Sequence, residues 1–599
     1  MRLRLPLIIF ATATLGIASP ETKSWVDRDA TPLYQDYFNR DFPFFEATLE
    51  LPDAEVPHDV LPRAVVLPLE HNLFVAYDTE LLRVAAVWQG DFPTKLGIAM
   101  KSYAIALNKM KGGTDDLSQL QGDVWYRSTQ LTDWFSEGRQ VQQDPRSAWT
   151  DPLEHGRGPL PLDGWQWSGI DVSRDGAVLR YQVAGVAVQE RFTVVETDQG
   201  TVVRRHLSRE ANGIDLTFAP EGNRSASELR AAGAWSIDYS PRGISELREG
   251  LQEAFPVSIH TGPLWPETAT TSFEAGESAG GFTADELTLP YPNPWHRRIR
   301  LVDLVFSDSG IAHAVTYDGD VYEIEGLEHI DGPVTWRRVA AGFNEPMAIE
   351  RQGADIFVFS RGGVTRLVDQ NGDREFETYR LFSNRFVQSP DTRDFCFSLV
   401  ALPDGGFLIS KGGQQVSTLN PHSGRILRLG PEGTEVTIHA TGFRNAFIAR
   451  DPQSGIITGS DQQGNWIPST PFHIIEPEHF YGHGRSSPVS PAPVTAPRLW
   501  FPHAVSPSAV GVVSGFDSRM PGFEKSALML DYKTSRGLVI DIADPQAPQT
   551  SSIVLPLTFE TPVLNGAINP MNGLPYLVGF QVWDSNAPRL EGLSRLRPS

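Results

Sequence analysis

Short runs of mainly apolar residues, many with apolar and polar positions in alternation, follow one another from residue 20 and are separated by Gly, Pro, Asn and Asp. Their β-branched and aromatic residues are typical of half-buried strands. Clear examples are residues 72–77, 83–88, 177–183 and 190–195. Helical periodicity over ten or more residues is scarce. The pattern therefore predicts an all-β protein, with a β-sandwich-like domain over residues 20–285.

From residue 286 the pattern becomes repetitive, because a strand-like run, a Gly/Asp turn and a second strand-like run recur six times. The units begin at Leu301, Pro346, Phe397, Ala446, Ser506 and Asn565, so the spacings are 45, 51, 49, 60 and 59 residues. Repeats of this length predict a β-propeller, here with six blades over residues 286–599. Evenly spaced hairpins in a plain all-β domain are the alternative. Residues 341–347 (AGFNEPM) and 441–447 (TGFRNAF) are related copies two units apart, which favours the propeller.

The two ends of the first domain carry their own signals. Residues 265–282 are rich in Pro, Thr, Glu and Gly, as a domain boundary often is. Residues 1–19 combine two early arginines, an apolar stretch over 5–17 and small residues at 16–18, which predicts a cleaved secretory signal peptide. A retained anchor is the alternative, but about 13 apolar residues fall short of the roughly 20 that span a bilayer. We therefore expect no membrane span and a periplasmic or extracellular protein.

Charge and cysteine content narrow the function classes. The 599 residues include 51 Lys and Arg against 73 Asp and Glu, a net charge of −22, which excludes a basic nucleic-acid binder. The one cysteine, Cys396, allows no internal disulfide, no CxxC zinc site and no CxxCH haem attachment. No HExxH zinc motif occurs either.

An acidic loop follows a strand-like run in the second unit. Asp369, Asn371 and Asp373 place oxygen ligands at alternate positions around a glycine turn, and Glu375 comes next, an arrangement that suits Ca²⁺. The twelfth-position Glu of an EF-hand is missing, since Arg380 stands there. We expect the four oxygen-bearing residues to bind Ca²⁺ and to stabilise a blade. An ordinary Asp/Asn/Gly hairpin turn is the alternative.

Polar side chains are densest around the fourth unit. In a propeller, strand ends and loops converge around the central channel, so this density predicts one wall of a polar pocket. The residues concerned are Arg444, Asn445, Asp461, Gln462, His479 and His483.

The order of motifs in this region resembles a known family. A GFRN element, a strand-turn-strand, Asp-Gln, Trp-x-Pro and a Tyr-Gly element follow one another over residues 442–482, as in the six-bladed quinoprotein glucose/sorbosone dehydrogenase propellers. The chain is still more similar to a group of secreted planctomycete and verrucomicrobial proteins that place such a propeller after a β-rich domain of unknown function. Residues 77–88, 158–161, 265–268 and 292–295 carry that second resemblance.

The resemblance implies roles for individual residues. Arg444 and Asn445 match the Arg-Asn pair that binds pyrroloquinoline quinone (PQQ) and assists hydride transfer, with Asp461 and Gln462 beside them in the motif order. Lys533, or alternatively Lys411, is the implied analogue of the lysines that hold the quinone carboxylates. The resemblance also implies a sugar or polyol substrate and, in a chain without haem, a separate electron acceptor.

The family's catalytic base is a histidine, and this chain departs from that pattern. Arg393-Asp394 occupies the corresponding place. Asp394, His479 and His483 are the remaining candidates for acid/base chemistry, although a carboxylate near its usual pKa of about 3.9 is a weak base unless burial raises it. Two other functions stay open: a carbohydrate-binding propeller without redox chemistry, and a propeller lyase or hydrolase that uses these three residues.

Overall fold

The fold is seen in a computed structural model of the chain. It describes residues 39–51, 59–93, 118–136, 144–146, 156–173, 176–210, 214–221, 226–229, 232–250, 262–390, 393–413, 421–462, 467–483, 493–515, 518–581, 583 and 585–599. The expected signal peptide, residues 1–19, lies outside these ranges. Within them every regular element is a strand except one 3₁₀ turn, Glu70–Asn72, which confirms the all-β prediction. No helix in the same ranges has the length and apolar character that crossing a membrane requires.

Two large sheets and one small sheet form the N-terminal part. The first large sheet contains β1 (Phe45–Leu51), β2 (Asp59–Leu69), β3 (Leu73–Asp78), β4 (Arg83–Asp91), β5 (Ser118–Gln119) and β6 (Gln121–Arg127), in the order β5-β1-β2-β3-β4-β6. The small sheet contains β7 (Trp134–Ser136), β12 (Leu216–Phe218) and β13 (Ser227–Leu229). The second large sheet contains β8 (Gln166–Ser173), β9 (Gly176–Val183), β10 (Val186–Thr197), β11 (Gly200–Arg209), β14 (Gly233–Ser240), β15 (Gly243–Ile244) and β16 (Arg248–Gly250).

The alternating pattern explains how the two large sheets pack. Along β9 the side chains of Leu179, Tyr181 and Val183 are buried while their neighbours are partly or fully exposed. They share one hydrophobic core with Val75 and Val87 of the first sheet. Since each sheet turns an apolar face toward the other, the β-sandwich-like prediction for this part is confirmed.

Six blades follow, each with four main strands from the inner to the outer edge. Blade 1 contains β21 (Leu301–Phe306), β22 (Ala312–Thr316), β23 (Val321–Glu325) and β24 (Val334–Ala340). Blade 2 contains β25 (Ala348–Gln352), β26 (Asp355–Ser360), β27 (Gly363–Val368) and β28 (Thr378–Ser383). Blade 3 contains β29 (Cys396–Ala401), β30 (Phe407–Lys411), β31 (Arg425–Leu429) and β32 (Val436–Thr441). Blade 4 contains β33 (Ala446–Arg450), β34 (Ile457–Asp461), β35 (Ser469–Ile474) and β36 (Leu499–Pro502). Blade 5 contains β37 (Ala509–Ser514), β38 (Ser526–Asp531), β39 (Arg536–Asp541) and β40 (Ser552–Val554).

Blade 6 contains β41 (Asn565–Ile568), β42 (Pro575–Phe580), β43 (Glu591–Pro598) and, as its outer strand, β20 (Phe282–Leu287). Each inner strand lies beside the inner strand of the next blade, and β41 lies beside β21, so the ring is closed. The inner strands begin within three residues of the predicted unit starts, and the six-bladed propeller is confirmed.

Ring closure bears on the predicted domain boundary at residue 285. That residue lies inside β20, which pairs with the last strand from Phe282 opposite Pro598 to Leu287 opposite Leu593. Three short strands precede it: β17 (Thr268–Thr271), at the outer edge of blade 1, and β18 (Phe273–Glu274) and β19 (Ser278–Ala279), which pair with β20. The propeller therefore uses residues from before the predicted boundary.

The two parts of the chain also share a sheet. Strand β8 pairs with β28, with Asp171 opposite Thr378, so the second N-terminal sheet and blade 2 form one eleven-stranded sheet. Nearby, Gly156 lies so close to blade 3's entry segment that a Cβ would come 1.6 Å from the carbonyl oxygen of Gln388. The N-terminal part is thus built onto the propeller along this side.

The blades define two faces. Because the four strands of a blade alternate in direction, the connection into each inner strand lies on the same face as the connection between the second and third strands. We call this the upper face; it carries residues 341–347, 384–390, 393–395, 441–445 and 531–536. Residues 369–377, between the third and fourth strands of blade 2, begin on the opposite face.

Candidate functional site

The connection from blade 3 to blade 4 carries Arg444 and Asn445 on the upper face. Their backbone N–H groups donate to the Asp461 carboxylate, at 3.0 Å from Arg444 and 2.7 Å from Asn445. Asp461 is fully buried at the end of β34, so it holds this turn in place. The Arg444 guanidinium donates to the backbone carbonyl of Gln462 at 2.9 Å and to its side-chain oxygen. The structure thus brings together four of the residues that the sequence assigns to cofactor binding.

The charge of a second arginine, Arg393, affects the pKa of Arg444. Burial lowers the pKa of the Arg444 guanidinium, the Asp461 carboxylate raises it in part, and the charge of Arg393 lowers it further. Arg393 belongs to the entry segment of blade 3, on the same face. Two like charges in a partly buried place favour binding of an anionic group, which offsets their repulsion.

Asp394, expected as an acid/base residue, occupies a different environment. Its side chain and that of Lys411 are both fully buried, and Lys411 Nζ lies 3.0 Å from Asp394 Oδ1. The other carboxylate oxygen accepts the backbone N–H of Ser389 at 2.8 Å. A carboxylate enclosed in this way does not reach a substrate on the upper face. The structure therefore assigns Asp394 to an internal ion pair and corrects its expected catalytic role.

The ion pair with Asp394 also argues against Lys411, the alternative to Lys533, as a ligand of the quinone carboxylates. Lys411 also donates to the side-chain oxygen of Gln388, whose amide donates to the backbone carbonyl of Asp394 at 2.8 Å. Arg361 of blade 2 donates to the carbonyl of Ser389 at 3.3 Å. These bonds tie the ends of blades 2 and 3 together beneath the segment that carries Arg393.

The other sequence candidates lie at separate points. Lys533 belongs to the upper connection of blade 5, where its carbonyl accepts the N–H of Asn586 at 2.8 Å. His483 is buried beside the Gly442 turn and donates its backbone N–H to the Gly442 carbonyl at 2.9 Å. It therefore supports the Arg444 connection from the side.

His479 lies at the outer edge of blade 3. Its Nδ1 is 3.1 Å from the Thr495 hydroxyl, its Nε2 is 3.5 Å from Glu476, and Phe480, the next residue, pairs with Thr441 of the outer strand. The backbone carbonyl of His479 accepts the N–H of Thr441 at 3.0 Å, three residues before Arg444. The imidazole itself contacts Thr495 and Glu476 at this edge, and its acid/base role stays a prediction.

The acidic loop of blade 2 gathers three carboxylates. Oxygens of Asp369, Asp373 and Glu377 all lie within 4.8 Å of one another, and Asn371 donates to Asp373 at 3.0 Å and to Glu377. The Asp369 carboxylate also accepts two backbone N–H groups of the loop, as the carboxylate of an ordinary turn does. Calcium binding by this loop stays a prediction.

Glu375, expected as the fourth ligand, lies outside this group. Its carboxylate accepts the backbone N–H of Leu264 at 2.5 Å and of Trp265 at 2.8 Å. Glu377, two positions further on, instead accepts the backbone N–H of Gln370 inside the loop at 2.9 Å. The structure thus replaces Glu375 with Glu377 and gives Glu375 a role in holding the segment that precedes the propeller.

Sequence reasoning missed three residues of the upper face. His422 accepts the N–H of Val387 at Nδ1, at 2.8 Å, and burial lowers its pKa to about 4, so it stays neutral with its proton on Nε2. Arg393 and Trp583 complete the set. Arg393 had a detectable signal, since it is a charged residue just before an inner strand. Trp583 had no such signal, because the sequence does not distinguish a single aromatic residue in a functional loop from one in any other loop.

One short motif bears on the hydrolase alternative. Residues 276–280 (GESAG) match the GxSxG pattern of serine hydrolases, which needs a strand-turn-helix context. Ser278 instead lies in a β-hairpin at the edge of blade 6, where its hydroxyl is 2.8 Å from that of Thr283. The local structure is therefore not that of a nucleophile elbow.

Comparisons with known proteins add a domain match and a likeness of fold. Residues 75–190 match the family described as "Domain of unknown function (DUF6797)". No curated protein matches the sequence. A solved structure described as a putative oxidoreductase (glucose dehydrogenase) from Thermus thermophilus is 14% identical, with a TM-score of 0.40, over 50% of this chain and 97% of that one.

Two aldose sugar dehydrogenases are similar to the same degree. The apo-form from Escherichia coli is 13% identical, with a TM-score of 0.38, over 50% of this chain and 97% of its own. The PQQ-bound form from Streptomyces coelicolor is 12% identical, with a TM-score of 0.37, over 56% of this chain and 99% of its own. The blade assignment rests on the strand pairings described above, and these structures resemble the propeller half of the chain.

Proposed function

We propose that the upper face of the propeller binds PQQ and that the protein is a quinoprotein-like oxidoreductase acting on a sugar or a sugar-derived alcohol or aldehyde. The observation that carries the proposal is the pair Arg393 and Arg444 beside Asn445. The Arg444 guanidinium lies on the upper face with Arg393 as a second positive charge near it, and guanidinium groups bind carboxylates well. The motif order shared with quinoprotein propellers supports the same assignment.

The residues present fit the binding of PQQ in part. Arg444 and Asn445 present a guanidinium and an amide on one turn that Asp461 holds, and the side-chain oxygen of Gln462, just after β34, accepts from both. When bound, PQQ supplies two-electron oxidation, and a separate acceptor takes the electrons. The chain's own contribution is to bind and orient the charged cofactor on a preorganised turn.

Of the upper-face residues that the structure describes, neither Asp394 nor His422 supplies the family's catalytic base. Asp394 is sealed in its ion pair with Lys411, and His422 carries its proton on the nitrogen not bonded to Val387. This observation favours a second candidate, a carbohydrate-binding propeller without redox chemistry. The two candidates share the ligand site and differ only in turnover.

We also propose that the protein is secreted and belongs with the planctomycete and verrucomicrobial proteins that its motifs resemble. The N-terminal sequence supports secretion, and the match of residues 75–190 to a domain of unknown function is consistent with that grouping. Mass spectrometry of the mature N-terminus in a secreting host tests the first point, since cleavage near residue 19 is expected.

Titration of the purified protein with PQQ, in the presence of Ca²⁺, tests the main proposal. We expect micromolar binding, followed by absorbance, and reduction of an artificial electron acceptor when sugars are added. Arg444→Ala should raise the Kd for PQQ at least about tenfold, because it removes a charge-assisted hydrogen bond.

Arg428→Ala is the matched control, since Arg428 is partly exposed on blade 3 and pairs with Asp404. Its Kd for PQQ should equal that of the unaltered protein. Absence of PQQ binding to the unaltered protein would refute the oxidoreductase. PQQ binding without turnover of any sugar would favour the carbohydrate-binding alternative.

A further inference from the structure

An aromatic side chain reaches across the upper mouth of the channel. Trp583 lies in the connection between β42 and β43 of blade 6, and its ring packs at 5.6 Å and 89° against Phe395 of blade 3. Blades 3 and 6 stand opposite one another in a six-membered ring. Phe395 follows Arg393 and Asp394 directly, so the indole rests on the segment that carries the site.

Other aromatic residues support this contact. Phe395 packs on Phe397 at 5.4 Å, and Phe397 packs on Phe447 at 4.7 Å, two residues beyond Asn445. All three phenylalanines are buried, whereas Trp583 is 42% exposed. The buried rings therefore form a floor, and Trp583 is the member of the group that solvent reaches.

The loop that carries Trp583 is anchored. Its neighbour Ser585 donates its hydroxyl to the carbonyl of Tyr532 at 2.8 Å, and Asn586 donates its N–H to the carbonyl of Lys533 at 2.8 Å. With these bonds close by and its ring packed against Phe395, the indole has less freedom to lose when a ligand binds, which lowers the entropy cost of binding.

The geometry leaves part of the indole available. In an edge-to-face pair only one ring presents its face, so Phe395 covers at most one face of Trp583. An indole face against the segment that carries Arg393 offers apolar contact next to charge. The apolar face of a pyranose ring fits such a surface, while an open-chain polyol has no flat face to place there.

We infer that Trp583 is a stacking platform that makes the upper-face site select cyclic sugars over open-chain polyols. This inference rests on the proposed function, whose ligand class it narrows. Trp583 is thus a specificity residue, and the ring of the sugar is what it recognises.

Matched pairs of ligands test it: glucose with sorbitol, galactose with galactitol, and xylose with xylitol, which differ by the ring. We expect calorimetric titration of the full chain to give tighter binding of at least one sugar than of its alditol. Trp583→Ala should raise the Kd of that sugar by about tenfold, and Trp583→Phe by less. Trp500→Ala is the control, because Trp500 is 51% exposed on the outer strand of blade 4.

Three results would overturn the inference: equal binding of sugar and alditol, unchanged binding by Trp583→Ala, or no binding of any of the sugars at millimolar concentrations. Thermal unfolding of each variant checks that the fold is kept. Sugar binding that depends on Trp583 in a protein that fails to bind PQQ would refute the oxidoreductase and leave the platform standing.

Discussion

Two related turns of the propeller have been put to different uses. Gly342-Phe-Asn344 enters blade 2 and Gly442-Phe-Arg444 enters blade 4, and both glycines adopt φ near +92°, a left-handed conformation that favours glycine. A Cβ on Gly342 would come 3.0 Å from Phe44 of the N-terminal part, and one on Gly442 would come 2.6 Å from Phe480. Each turn is therefore covered, but by different parts of the chain.

The partners of the next residue show what separates them. The N–H of Asn344 donates to Glu46 of the N-terminal part at 3.0 Å, and the Ser360 hydroxyl donates to the same oxygen at 2.7 Å. Ser360 ends β26 where Asp461 ends β34, so Glu46 takes the place of the missing carboxylate. The comparison teaches that one backbone turn serves either to dock a domain or to present an arginine.

Of the substitutions considered, one at the contact between the N-terminal part and the propeller should lower the stability the most. Arg63 of the N-terminal part donates to the carbonyls of Arg361 and Asn384, both at 2.9 Å, and pairs with Glu80 at 3.0 Å. Because Arg63 is fully buried, Arg63→Ala leaves two buried carbonyl groups without this donor and leaves Glu80 with Arg146 as its ion-pair partner, so it should lower the free energy of unfolding by about 3–5 kcal/mol. Urea denaturation measures the change.

Arg366→Ala provides the control for this experiment. Arg366 pairs with Asp355 on the same blade, but both side chains are about half exposed, so the loss should stay below about 1 kcal/mol. A comparable loss in the two variants would mean that Arg63 does not fasten the N-terminal part to the propeller. The Kd for PQQ should be the same in both folded variants.

Two buried groups, Glu375 and His422, should make the stability depend on pH in opposite directions. Burial raises the pKa of Glu375, which holds the segment before the propeller, to about 7, although its bonds to Trp265 and Leu264 oppose this. A raised carboxyl pKa gives stability that is complete below the unfolded value of about 4.5 and is lost as pH rises through 7. Burial lowers the pKa of His422, on the upper face, to about 4, so its contribution to stability is lost as pH falls from about 6.5 toward 4.

Glu375→Gln isolates the first of these effects. The unaltered protein should lose up to about 3 kcal/mol of unfolding free energy between pH 5 and 8 relative to this variant, whose amide does not titrate. Urea midpoints at several pH values measure the difference. Parallel curves for the two proteins would show that Glu375 does not titrate in this range.

Much of the propeller was predictable because each blade repeats a local pattern. The inner strands begin at Leu301, Ala348, Cys396, Ala446, Ala509 and Asn565, close to the unit starts. The strand that closes the ring was not predictable, since the sequence of Phe282–Leu287 (FTADEL) lacks a clear alternation of apolar and polar residues. Its partner strand lies some three hundred residues away in the sequence, and no local sequence pattern identifies that partner.

The site was predictable only where a motif is continuous. Arg444 and Asn445 were identified from one short element, and their support by Asp461 follows the same motif. The burial of Asp394 was not predictable, because its partner Lys411 comes from a different strand and only packing shows that both are sealed. The choice between Glu375 and Glu377 likewise depends on a partner distant in sequence, because Glu375 is bonded to Leu264 and Trp265.

The smallest expected effect concerns the acidic loop of blade 2. If Asp369, Asp373 and Glu377 bind Ca²⁺, tenfold excess over the Kd should stabilise the protein by about 1.4 kcal/mol, and Asp369→Ala should abolish that gain. Asp404→Ala is the control, because Asp404 accepts the N–H of Gly406 in a blade 3 turn without an acidic cluster. Melting curves with Ca²⁺ and with a chelator should separate the two variants. A loss in Asp369→Ala that is equal in both buffers would make the loop an ordinary turn.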